Sequence, residues 1–232
     1  MSNQLHNEIK KEFQLERMIL FSDAVFAIAI TLLVLEIRIP DRELLEAHGG
    51  ISDKTIAAAL GELIPKFIGF LISFMLIGLY WSIHHRMFGF VTSYDRKLIF
   101  LNLLFLFFIA LMPFSTGFYS EYAGRELFEK QLKVPMTFYV LNFCCAGISN
   151  FLMWRRIGNT RNKLAEPPIE PLTLKLAYAR SLLVPTMFLL MLPIAYFVNV
   201  LYAVYVPMLI PILIRIIRKI IKRRHLNNLA KK

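Results

Sequence analysis

Apolar residues along the chain fall into long runs separated by short polar breaks. A helix of roughly 20 mostly apolar residues crosses the hydrocarbon of a bilayer. The pattern predicts six such helices, over Met18–Ile39, Ile56–Ile83, Leu98–Phe118, Val134–Trp154, Leu174–Phe197 and Val200–Ile221. Pro185, Pro193, Pro207 and Pro211 interrupt the last two runs, and Asn199 is the main polar mark between them, so a tight hairpin with bends at the prolines is expected. The chain is predicted to be one transmembrane domain, residues 1–232, with a cytoplasmic leader over 1–17 and a basic cytoplasmic tail over 222–232. No cleavable signal peptide is expected, because the first apolar run follows a charged leader and is as long as a full span.

Composition supports this fold class, an all-α integral membrane protein: 57% of residues are hydrophobic and only 19% charged. Cys144 and Cys145 are adjacent inside one run, where a mutual disulfide is disfavoured, and read as small packing residues. The stretch RNKLAEPPIEP is the most linker-like and is expected to form a stiff connection.

Charge orients the helices. Nineteen of the 27 lysines and arginines fall in the leader, the second and fourth connections and the tail, all on one side of a six-span chain; Arg180 lies inside the fifth run. The positive-inside rule therefore predicts both termini in the cytoplasm. Acids including Glu36, Asp41, Glu43, Glu46, Glu62, Glu121 and Glu126 collect on the opposite side and would concentrate cations there. The net charge of +11 needs no nucleic-acid partner, since its largest block, RIIRKIIKRRHLNNLAKK, suits an anionic lipid surface.

The first run contains the candidate chemistry. A carboxylate in hydrocarbon costs several kcal/mol, with estimates from about 3 upward, so Asp23 requires a partner or a purpose. On a helical wheel at about 100° per residue, Ile28, Thr31, Leu32 and Leu35 form one stripe, extended by Phe21 and Ala24, while Ser22 and Asp23 point elsewhere. Arg17 lies six residues from Asp23, a spacing that does not bring two side chains together on one helix. The partners expected at matching depth are His84 or His85 at the end of the second span and Asn102 in the third. With Arg17 and Ser22 they would form an interhelical polar hub, Trp81 lying beside it.

These residues also carry a resemblance. Arg17, Phe21, Ser22 and Asp23 match an R-x-x-x-F-S-D signature, followed by AVFAIAITLLVLEI, and ALMPFST stands in the third span. The chain resembles prokaryotic members of the transmembrane protein 175 family, that of a lysosomal potassium channel, over at least its first three spans. The resemblance implies a potassium-permeable cation channel in a prokaryotic cell membrane, a homotetramer with the first helix lining a central pore. It implies an apolar constriction at Ile28, Leu32 and Leu35 with the Thr31 hydroxyl nearby. Arg17, Phe21, Ser22, Asp23, His84, His85 and Asn102 would support the helix from behind. No cofactor or resident metal is implied, only permeant potassium, the other subunits and lipid.

Apolar side chains around an axis can close a pore by dewetting, and the absence of TVGYG argues against a filter of backbone carbonyls. Two alternatives remain at this level. A proton- or cation-coupled secondary transporter would use Asp23, His84, Asn102 and Arg180 as coupling groups. A proton-permeable channel would pass protons along transient water files. An enzyme is not expected: the adjacent histidines lack a third ligand or H-E-x-x-H spacing, and no nucleophile sits with a base.

Overall fold

The computed structural model describes residues 2–38, 46, 50–122, 130 and 132–229, and every regular element among them is helical. Helix α1, Ser2–Leu32, ends in a 3-10 turn, Leu33–Glu36. Then come α2 (Asp53–Glu62), α3 (Ile64–Phe88), α4 (Arg96–Ala110), α5 (Met112–Glu121), α6 (Val134–Ile157) and α7 (Pro171–Phe197). A last stretch joins α8 (Val200–Tyr205), a 3-10 turn (Val206–Leu209) and α9 (Ile210–Leu229). Six segments are long and apolar enough to cross a membrane: Glu12–Glu36, Ile64–Phe88, Arg96–Glu121, Val134–Ile157, Pro171–Phe197 and Val200–Asn227. Asp41, Glu43 and Glu126, expected at the acidic face, lie outside the described residues, as does Ile39, the expected end of the first span.

Prolines account for the breaks within the second, third and last of the expected spans. The second span begins at Ile64 and not at Ile56, because Ile56 belongs to the separate helix α2. Ser52 opens α2 with a capping box to Thr55. Pro65 then has no amide to give the Gly61 carbonyl, and its ring crowds it, so the chain restarts as α3. Pro113 does the same to Ile109, dividing the third span at Leu111 into α4 and α5. Pro185 and Pro193 sit inside α7 without interrupting it, as expected, whereas the last span tightens into a 3-10 turn around Pro207. The α7–α8 reversal is tight: Asn199 accepts the Leu201 amide at 2.8 Å and caps α8.

Helix α6 is the centre of the bundle, packing along α7, α4 and α5. Lipid tails are as apolar as leucine, so helix pairing in a membrane relies on close approach and interhelical hydrogen bonds more than on hydrophobicity. Both occur here. A methyl group on Gly147 would stand 2.8 Å from the Pro185 ring, so α6 and α7 meet at a position that admits only glycine. Ser181 donates to Asn150 Oδ1 at 2.8 Å across the same seam. Asn142 reaches Ser115 Oγ at 3.1 Å, and Thr116 donates to Ser73 Oγ at 2.8 Å, with Tyr139 hydroxyl 3.1 Å beyond. Cys144 and Cys145 are free thiols, and Cys144 packs against the Pro185 carbonyl.

At the end of the bundle that carries both termini, Asp95 caps α4 by accepting the Leu98 amide at 2.7 Å and pairs with Arg156 of α6. Partial burial pushes its carboxyl up, but the Arg156 and Leu98 hydrogen bonds and the Arg156 charge outweigh this and hold the group below the ordinary carboxylate range. The RNKLAEPPIEP stretch does not run free. Leu164, Ala165 and Ile169 are buried in the core, and the Leu164 carbonyl accepts the Thr92 amide at 2.9 Å.

Gly147→Leu should lower the thermal midpoint of the detergent-purified protein by the equivalent of about 1–3 kcal/mol of overpacking, read by thermal-shift chromatography. Gly78→Ala, whose added methyl would meet nothing within 4 Å among the described residues, should leave it unchanged. Because the folded pKa of Asp95 is depressed, its stabilising contribution is present above the unfolded value and lost as pH falls through the folded one. The stability gap between wild type and Asp95→Asn should therefore be widest near neutrality and close below roughly pH 4 in acid-unfolding curves.

Candidate functional site

Helix α1 divides sharply around its axis. Ser22, Phe26, Ala29 and Leu33 are buried against the bundle at 0–1% exposure, whereas Ile28 and Leu35 are 58% and 69% exposed. Phe21, Ala24, Ala27, Thr31 and Leu32 share the open side. The stripe expected from the wheel is thus the side of α1 that the rest of the chain leaves uncovered. One detail departs from an ideal α-helix. Leu35 lies in the 3-10 turn, where residues three apart eclipse, so it stands nearly above Leu32. The Thr31 hydroxyl is tied back to its own helix, donating to the Ile28 carbonyl at 2.9 Å and lying 3.1 Å from that of Ala27.

The buried side is held by a hydrogen-bond chain through three helices. Asn102 of α4 donates from Nδ2 to Ser22 Oγ at 3.0 Å, and the Ser22 hydroxyl in turn donates to the Met18 carbonyl at 2.8 Å. The Asn102 carbonyl oxygen faces His84 Nε2 of α3 at 2.8 Å, which makes that nitrogen the donor. All the donors then point the same way, from His84 through Asn102 and Ser22 to the backbone, an arrangement in which each bond polarises the next. The His84 ring lies among Phe26, Phe88 and Phe105, with centroids 5.6, 4.3 and 5.8 Å away. Its Nδ1 is buried without a hydrogen-bond partner among the described residues.

The expected hub is therefore two groups. Asp23 is not held by a histidine and an asparagine; its Oδ1 accepts the indole N–H of Trp81 at 2.9 Å at the half-open edge of the α1–α3 seam. Ser22 and Asp23 are about 100° apart on α1, so when one enters the seam the other must lie at its border. Of the two histidines, His84 is in the chain. His85 is exposed and stacks on Trp81 at 5.5 Å. Arg17 and Phe21 are exposed and line a groove of about 320 Å³ with Gln14 and Asn102, and Arg17 makes no ion pair among the described residues.

Sequence reasoning missed the Phe26–His84–Phe105 packing and the Thr116–Ser73–Tyr139 ladder, whose members stand on different spans with no local spacing to link them. Glu36, counted among the acids of one membrane face, folds across α5, where a methyl group on Gly117 would overlap its carboxylate. Gly117 in an apolar helix was the available signal for that close approach.

Residues 17–113, the stretch containing both arms of this arrangement, match the family described as endosomal/lysosomal potassium channel TMEM175. A protein of Streptomyces collinus named a potassium channel is 35% identical over 65% of this chain and 67% of its own length. The chicken protein named endosomal/lysosomal proton channel TMEM175 is 36% identical over 60% of this chain and 27% of its own. The crystal structure of a lysosomal potassium-selective channel TMEM175 homolog from Chamaesiphon minutus superposes with a TM-score of 0.71 at 28% identity, covering 88% of this chain and 97% of that one. With the fold shared along most of its length and the sequence along about two thirds, the chain belongs to the TMEM175 family.

Proposed function

We propose that the chain is one subunit of a potassium-permeable cation channel in which four copies turn the open side of α1 toward a common axis. The single observation carrying this is the division of α1 into a side packed by polar and aromatic contacts and an apolar side that the protomer leaves bare. Ile28, Leu32 and Leu35 would form the constriction and close it by dewetting, with the Thr31 hydroxyl between the Ile28 and Leu32 layers. Ser22, Asn102 and His84 would hold the helix at that rotation, and Trp81 with Asp23 would support its edge, while Arg17, Phe21 and His85 would flank the inner approach. The names carried by bacterial relatives favour potassium as the permeant ion. The charge asymmetry favours both termini in the cytoplasm, and the bacterial relatives favour a prokaryotic plasma membrane.

A proton-permeable channel is the second reading, favoured by the name of the chicken relative. The two diverge in a planar bilayer. With opposed potassium and pH gradients across purified protein, ohmic single-channel currents should reverse near the potassium potential; reversal at the proton potential, or slow saturable flux without unitary events, would sink the first reading. Ile28→Ala and Leu35→Ala should each change unitary conductance with little effect on the thermal midpoint, since both side chains are mostly exposed within the chain. Asn102→Leu should do the opposite, leaving Ser22 and His84 without their partner, at about 1–3 kcal/mol of stability, visible in chemical or thermal unfolding. Asp23→Asn keeps an acceptor for Trp81 and should cost less than Asp23→Ala in the same assay.

A further inference from the structure

A second feature lies away from α1, at the end of the bundle that carries both termini. The first turns of α4 and the last turns of α6 enclose an open groove of about 500 Å³. Lys97 stands on one wall, Arg155 and Arg156 on the other, and Asn159 lies above them. None of the lining residues is acidic. Arg156 is already engaged by Asp95, but no carboxylate among the described residues pairs with Lys97 or Arg155.

The vertical order of the lining is informative. Phe100 lies three residues from Lys97 and Leu152 three from Arg155, spacings that put each pair on one face of its helix. In both helices the base is at the end of the span and the apolar residue is one turn nearer the membrane centre. Phe100 is 64% exposed. The groove is therefore cationic at the depth of lipid headgroups and apolar below, with both walls stepped in the same sense. A soluble anion would match only the upper half.

We propose that this groove between α4 and α6 is a binding site for an anionic phospholipid, its phosphate between Lys97 and Arg155 and its acyl chain against Phe100 and Leu152. The proposal rests on the membrane embedding of the six helices and not on the channel reading, so the two can fail independently. An occupant there would tie α4, whose Asn102 holds α1, to the central helix α6.

The test uses the full-length protein in detergent, titrated separately with phosphatidylglycerol and phosphatidylcholine, with bound lipid counted by native mass spectrometry. Phosphatidylglycerol should bind more tightly. Lys97→Gln with Arg155→Gln should weaken it on the order of 30-fold, the effect of removing two charges near a lipid surface, and leave phosphatidylcholine unaffected. Arg38→Gln with Lys54→Gln, removing equal charge from exposed positions at the opposite end of the bundle, should change neither. Equal binding of the two lipids, or an equal loss in the Arg38 and Lys54 pair, overturns the proposal. So does displacement of the lipid by inorganic phosphate at matched concentration, which would mark a site for the free anion. As a measurement needing no substitution, photoactivatable phosphatidylglycerol on the wild-type protein should label residues 97–101 and 152–159; labelling confined to other segments overturns the assignment.

Discussion

The hydrogen bond from Asn102 to Ser22 sets the rotation of α1, and the rest of the arrangement around that helix follows from it. Within a bilayer one apolar face of a helix is nearly as well solvated by lipid as another, so burial alone does not choose which face packs inward. A polar side chain does choose, because leaving it without a partner in hydrocarbon costs more than most packing differences return. Ser22 is wholly buried and its acceptor is filled by Asn102, which is in turn fixed by His84. Rotating α1 by one residue, about 100°, would expose Ser22 and bring Ile28 toward the bundle. The bare stripe is thus a consequence of the buried chain on the other side.

The same rule orders the remaining helices. Ser181 with Asn150, Asn142 with Ser115, and Thr116 with Ser73 and Tyr139 each link two or three spans at a defined height, and between these pegs the helices approach through Gly147 and Gly117. The pegs fix register and the glycines fix distance, two quantities that interchangeable leucine and phenylalanine side chains leave loosely specified. At the end bearing the termini, Asp95 performs the corresponding task in a wetter setting, joining the cap of α4 to α6.

Asp23 shows how near, and how far, local reasoning reached. Its position inside an apolar run demanded a partner on another span, and its wheel angle excluded the apolar stripe; both hold. The identity of the partner did not follow, because His84, Trp81 and His85 stand within one turn of α3 and their angular order relative to α1 depends on how the two helices cross. The indole, with a single donor and a large apolar body, occupies the half-open edge beside Asp23, while the imidazole lies inside among three phenylalanines.

The sequence by itself determined the solvent, the six helices, the punctuating prolines and the two faces of α1, because each depends on composition or on a period within one segment. It also carried Arg17, Phe21, Ser22 and Asp23 within the stretch, residues 17–113, that matches the family. Only the tertiary structure decided that the Ser22 chain and the Asp23–Trp81 pair are separate, that Ile56 belongs to a helix of its own, and that Leu164 docks into the core. These depend on distances between segments far apart in the chain, and in a membrane such distances are set by a few polar contacts and close approaches that no single-helix pattern encodes.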